Sequence, residues 1–458
     1  MNEIDYHYYR TFDQIGLPFY DWERHIINLG CNKEDIKIDN VSSEPNKEGL
    51  KNTSKLVHEY IHYLQNFCTV WGAPVFTDIA LAIMKIGASS VESKEKLSLP
   101  LVKSNIENTL LIEGIKLRED VIRRINKCDN FLFQDCEELS NITQVQTDSS
   151  CIVLSNSRVT TNLGLKVIRE HMAHIGTQLF LGKSDDEIHE YNETLDSFKF
   201  FEIPFSKQSE YWILFENFYQ TQKFKNLAKG IFHLTQQSLA TLNPEKALYK
   251  FFTWYNKKAF SIGTRTDFVE LVENWLKDEN KIYYLHLDLT KSIDHCKKIV
   301  ELTEKHKNEH DLFQFVNKIA NFSLKNIQST TDGQLIFTPS DNFQDIKFWK
   351  QLMVKYGTGL VRYLDGTVIH GNQKHCKEMM DCFNFFISCS LVIKKLLENQ
   401  IANCPFLDDI PICKAEFKGE NNCVRNPFLV NQKSDGKSCL FRNGVLLTGM
   451  QDRIEFSS

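Results

Sequence analysis

Two histidines flank a glutamate in His58-Glu59-Tyr60-Ile61-His62. On a helix they stand one turn apart, so both imidazoles can face one zinc ion while the intervening carboxylate reaches a water on the metal. That chemistry is metal-assisted hydrolysis. With 14 His and 59 acidic residues in 458, chance supplies about 0.05 such patterns, which makes the surroundings worth weighing. At ~100° per residue, Leu56, Val57, Tyr60, Ile61, Tyr63, Leu64 and Phe67 share one side of the helix. Lys55, His58, Glu59, His62, Gln65, Asn66 and Thr69 gather on the other, and only two of those seven are charged. A solvated face carries more Lys and Glu, so this stripe reads as the lining of a cleft. The bland alternative is an amphipathic helix whose histidines happen to lie one turn apart.

The segment Lys55 to Trp71 resembles the active-site helix of the HExxH zinc metallopeptidases, the zincins. The resemblance implies that His58 and His62 are zinc ligands and Glu59 the general base. In the metzincin subclass the pattern continues to a glycine and a third histidine. Gln65 and Cys68 occupy those places here, and Cys68 falls on the apolar side. The gluzincin type instead takes a glutamate from a later helix, and Gly164 to His174 is the best candidate for it, with Glu170 as the third ligand. Glu170 and His174 share a face with Thr177 and Gln178, opposite Ile168, Met172 and Leu179. An ordinary surface glutamate is the competing reading of Glu170, and Glu190 and Glu193 are the reserves. His174 is open between ligand, oxyanion donor and core histidine.

Two further patterns compete. His306-Lys307-Asn308-Glu309-His310 has the inverted H-x-x-E-H order, but Lys305 to Asp311 is an unbroken polar run of seven residues, the mark of a solvated connection. Gly263-Thr264-Arg265-Thr266-Asp267 resembles the aspzincin segment that supplies an aspartate ligand, yet it stands some 200 residues from the first motif. Neither is expected to hold metal. Toward the carboxyl end, Cys404, Cys413, Cys423 and Cys439 lie among Pro405, Pro411, Gly419, Pro427 and Gly436. Four thiolates in such a loop-rich segment could hold a second, structural zinc. Their spacings of 8, 9 and 15 intervening residues are not those of a zinc ribbon, so separate reduced thiols are the alternative. Cys376, Cys382 and Cys389 sit among aromatic residues and read as core.

These groups need rigid elements to hold them, and the composition supplies them. The chain is 42% hydrophobic and 25% charged, with 20 Gly and 10 Pro. Those proportions exclude disordered, collagenous and fibrous classes and suit two to four domains of about 100 to 200 residues. Helical-period segments dominate, with short extended pieces at 35–39, 141–146 and 151–155, the last two joined as a hairpin. The expected class is α+β, predominantly helical: a zincin-like catalytic domain at 1–204, a helical domain at 205–334 and a Cys-rich C-terminal domain at 335–458. The motif helix should start at an N-cap near Thr53 or Ser54 and stop before Gly72 and Pro74.

The balance of 54 Lys+Arg against 59 Asp+Glu gives 54 − 59 = −5, and no basic aromatic surface pattern points to nucleic acid. No leader is expected from Met1 to Tyr6. The apolar run from Phe383 to Leu397 is broken by Asn384, Lys394 and Lys395, so no membrane association is expected. The 13 Cys then suit reduced thiols in a cytoplasmic protein. The reading that follows is an intracellular zinc-dependent endopeptidase, a metalloprotease hydrolysing a restricted protein or peptide substrate, with room for a regulatory protein partner. The rivals are a non-catalytic helical partner-binding protein with a structural or vestigial HExxH helix, and a metal-dependent hydrolase of non-peptide substrates.

Overall fold

In the computed structural model the described residues are 19–21, 26–29, 31, 36, 47–92, 97–99, 106, 108–125, 153–155, 160–162, 164–197, 212–221, 224–258, 266–278, 281–308, 310–329, 336–357, 360–362, 368–370, 388–390, 392–393, 396–397, 440–450 and 454–456. Helix α1, Lys47–Phe67, carries the motif through the centre of the core. From Leu56 to Phe67 every side chain except His58 is buried, the apolar stripe and the polar one alike. The helix begins before the expected cap. Thr53 Oγ1 donates to the Gly49 carbonyl at 2.7 Å and Ser54 Oγ to that of Lys51 at 2.7 Å, so both hydroxyls bond back within the helix instead of closing its start.

After α1 the chain turns through Thr69, whose Oγ1 donates to the Gln65 carbonyl and accepts from the Gly72 amide. A Cβ at position 72 would stand 2.0 Å from the Gln65 carbonyl oxygen. Only glycine permits that approach. It opens α2, Gly72–Glu92, with Pro74 in the first turn, where its missing N–H costs nothing. This helix is the most apolar of the described stretches: Gly72–Ser89 is long and apolar enough to cross a membrane, but 83% of it is buried inside the fold. It packs against α3, Thr109–Ile125. Asp78 on α2 accepts from Arg124 at 2.5 Å and from His295 at 2.8 Å. Burial pushes its carboxyl up, but these two partners outweigh that and hold it below the ordinary range.

Helix α4, Leu165–Phe180, packs on α1 from one side and on α7, Leu227–Leu239, from the other. Gly176 lies at this double contact: a Cβ there would meet Ile61 Cδ1 at 2.5 Å and Phe232 Cε2 at 2.7 Å. Its absence lets α4 come close enough to reach across α1. Between α4 and α7 run α5, Asp185–Ser197, and α6, Ile213–Thr221. Beyond them come α8, Pro244–Lys258, α9, Phe268–Asp278, α10, Lys281–His306, α11, Asp311–Ser329, α12, Ile346–Tyr356, and α13, Leu440–Leu447. One hydrophobic cluster runs from Ile27 to Met450 through α1, α2, α4, α7 and α9.

The α+β expectation is overturned. Helix takes up about 81% of what is described, which makes the protein all-α in class. The strand segments that occur are three residues long. Phe19–Asp21, Ile26–Asn28, Leu360–Arg362 and Val368–His370 pair in that order beside α1, the middle two in parallel. Leu97–Leu99 pairs with Ile454–Phe456. Segments this short tie distant parts of the chain together but offer too little apolar face to form a layer, so helices bury their stripes on one another. A hairpin does precede α4, but it joins Val153–Ser155 to Thr160–Asn162; residues 141–150 lie outside the described ones.

Candidate metal centre

The polar stripe of α1 meets α4 inside the fold. His58, Glu59 and His62 bring ligand atoms within 4.8 Å of one another. The Glu170 carboxylate, 112 residues after His58 in the chain, arrives from α4 with Oε2 3.7 Å from His58 Nε2 and 3.3 Å from His62 Nε2. Zinc bonds of about 2.0–2.1 Å in a tetrahedron set ligand atoms about 3.3 Å apart. The separations from Glu170 are close to that value, so the two imidazoles and the carboxylate could hold a zinc ion and leave one direction over. Accessibility is uneven. The His62 side chain is 7% exposed, whereas those of His58 and Glu170 are each 25% exposed, so the site opens on the His58 and Glu170 side.

Burial alone would raise the Glu170 carboxyl, but the His62 charge and the hydrogen bonds of His58 and His62 hold it well below the ordinary range. A carboxylate that stays ionised is what a cation needs. Both histidines are also held from behind. His62 Nδ1 donates to Gln65 Oε1 at 3.0 Å. Thr177 Oγ1 donates to the Ala173 carbonyl at 2.7 Å, which leaves it to accept from His58 Nδ1 at 3.3 Å. His62 Nδ1, facing an amide oxygen, carries a proton, and both rings present Nε2 to Glu170. Gln65 itself is held by Arg169: its Nε2 donates to the Arg169 carbonyl at 2.9 Å and its Oε1 accepts from Arg169 Nε at 3.2 Å. The Arg169 guanidinium lies 5.4 Å from the Trp71 ring centroid.

The chain matches no protein-family model, no curated protein and no solved structure. The site therefore has to be read from its own residues. His174 is not among the residues of this cluster and belongs to a separate hydrogen-bond chain. Its Nε2 donates to Asn192 Oδ1 at 3.2 Å, Asn192 Nδ2 donates to Glu216 Oε1 at 2.9 Å, and His189 Nδ1 donates to Glu216 Oε2 at 2.6 Å. Burial is the main force pushing the His174 ring down to about 3, so it stands neutral. Its neighbour His171 is a satisfied core histidine, bonded to the Val167 carbonyl and the Leu214 amide.

The reserve Glu190 is exposed on α5, and the Glu193 side chain lies outside the described residues. Cys68 is 3% exposed and burial pushes its thiol well up, which fits core and not a metal ligand. Asp267 accepts from the Val269 amide at 2.8 Å and from Asn226, and so caps α9. Cys404, Cys413, Cys423 and Cys439 lie outside the described residues, as do Cys376 and Cys382; Cys389 is buried.

Of the supporting groups, Gln65 and Thr177 stand on the polar faces read from the sequence, and Gln65 follows His62 at i+3, a spacing that places side chains in reach. Arg169 carries no such signal, because its partners, Gln65 and Trp71, lie about a hundred residues earlier in the chain.

Proposed function

We propose that the protein is a zinc-dependent endopeptidase in which His58, His62 and Glu170 hold the ion and Glu59 is the general base. The observation that carries the reading is Glu170 at 3.3 and 3.7 Å from the two Nε2 atoms: a third ligand of the right charge on the face where the motif needs one. Zinc, when bound, acts as a Lewis acid that makes a water more acidic and polarises a carbonyl oxygen. Glu59, buried beside both histidines, takes the proton from water as the water oxygen attacks the peptide carbonyl carbon. It then gives that proton to the amine nitrogen as the C–N bond breaks. A substrate must enter a site whose accessible side chains are His58 and Glu170, which favours a restricted segment over any unfolded chain.

The test is a peptide-library cleavage screen of the zinc-loaded wild type beside Glu59→Gln. The variant should keep its zinc and lose at least about a hundredfold in rate, the contribution of a general base. A near wild-type rate would sink the mechanism. The wild type should also leave unfolded casein largely intact, and rapid casein digestion would remove the restricted-substrate part.

A further inference from the structure

Imidazole carries its neutral proton on either nitrogen, and a metal can use Nε2 only where that proton sits on Nδ1. We propose that Gln65 and Arg169 form a positioning pair that locks His62 in the Nδ1–H tautomer; its use for coordination rests on the zinc-site reading above. An amide is nearly symmetric in shape, so its orientation is set by what it meets. Gln65 meets a donor and an acceptor of one residue: Arg169 Nε faces Oε1 at 3.2 Å and the Arg169 carbonyl faces Nε2 at 2.9 Å. Turned over, the amide would set N–H against the guanidinium and oxygen against the carbonyl, losing both bonds. Oε1 is thus the atom that His62 Nδ1 meets at 3.0 Å, and an oxygen without a proton can only accept. Gln65 is 0% exposed, so water offers no substitute.

The lock is one-sided. His58 Nδ1 meets the Thr177 hydroxyl at 3.3 Å, and that hydroxyl, which donates to the Ala173 carbonyl, can rotate to donate to the ring instead. At His62 the choice is removed by the residue that precedes Glu170. One turn of α4 thereby supplies both the clamp behind the ring and the carboxylate in front of it.

The experiment is long-range proton–nitrogen NMR of the metal-free protein labelled at histidine, with His62 assigned by its absence in His62→Ala, and zinc affinity by chelator competition on the same samples. Wild-type His62 should carry a proton on Nδ1. Gln65→Leu should lose that preference and about 10- to 100-fold in zinc affinity, the usual effect of removing an outer-shell partner. Gln65→Glu, which can only accept, should retain the tautomer. Finding His62 Nδ1 without a proton in the wild type, or Gln65→Leu binding zinc as tightly as wild type, overturns the lock. If Gln65→Leu does not fold, the wild-type and Gln65→Glu spectra decide. A wild type that is Nδ1–H but binds no zinc supports the tautomer lock while removing the zinc reading, so the two failures are distinguishable.

Discussion

The protein contains two histidine pairs of equal improbability by composition, and they end in opposite environments. His58 and His62 lie on one face of a continuous helix, their rings 5.0 Å apart, with a partner behind each and Glu170 in front. His306 is the last residue of α10, and His310 precedes α11, where its Nδ1 accepts from the Leu312 amide at 3.1 Å. The helix breaks between them. His306 rests against Phe313 at 5.4 Å, and the residues on either side of it, Lys305 and Lys307, are exposed. The same residue types thus make a candidate ligand set in one place and a helix junction in the other. Spacing offers a metal site only where the helix is continuous and its polar face is buried against a second element.

That contrast can be broken most directly by counting zinc. His62→Ala should lose about one equivalent per chain by elemental analysis, and an unchanged count would make the first motif a coincidence. A different kind of buried histidine gives the next largest effect. His233 on α7 has its ring pushed down to about 4 by burial. Because the unfolded chain binds this proton near the ordinary value of about 6.5, stability should fall as pH drops from about 6.5 to 4, by roughly 2–3 kcal/mol, and be intact above that window. Denaturant unfolding of His233→Leu across that range should show a slope shallower by up to one proton. Equal slopes would mean that His233 charges without penalty.

Gly176→Val probes the approach of α4 to α1. The added side chain must displace Ile61 and Phe232, costing about 1–3 kcal/mol and weakening zinc binding by moving Glu170. A variant of wild-type affinity would show that the helix spacing is not what places the carboxylate. The smallest effect belongs to the other pair: His310→Ala should leave the zinc count unchanged and cost about 0.5–1 kcal/mol, the loss of a side chain that accepts an amide at the start of α11. Loss of metal from that variant would erase the contrast.

Much of the motif helix is legible before any coordinates. Its apolar and polar stripes follow from period, and the polar stripe is buried, as its shortage of charge suggests. Glu170 is preferred over the reserves Glu190 and Glu193 for the polar face it shares with His174, Thr177 and Gln178, but that face does not say which helix folds back on α1. What separates them is the close crossing at Gly176, a property of α4 against α1 and α7. The start of α1 was misread for a related reason: Thr53 and Ser54 are good caps in isolation, yet the chain continues helically before them and their hydroxyls find carbonyls one turn back. The α+β expectation failed because short extended patterns cannot tell a sheet from a three-residue tether.

The sequence by itself therefore determined which side chains could meet a metal from one helix, because the helical period makes i and i+4 neighbours wherever the helix forms. It also determined that Gln65 would lie within reach of His62. Only the tertiary structure decided that Glu170 faces both histidines, that Arg169 orients Gln65, and that the second histidine pair straddles a helix break. Those are contacts between segments distant in the chain, and their geometry depends on how closely helices can pack, which the period of a single helix does not contain.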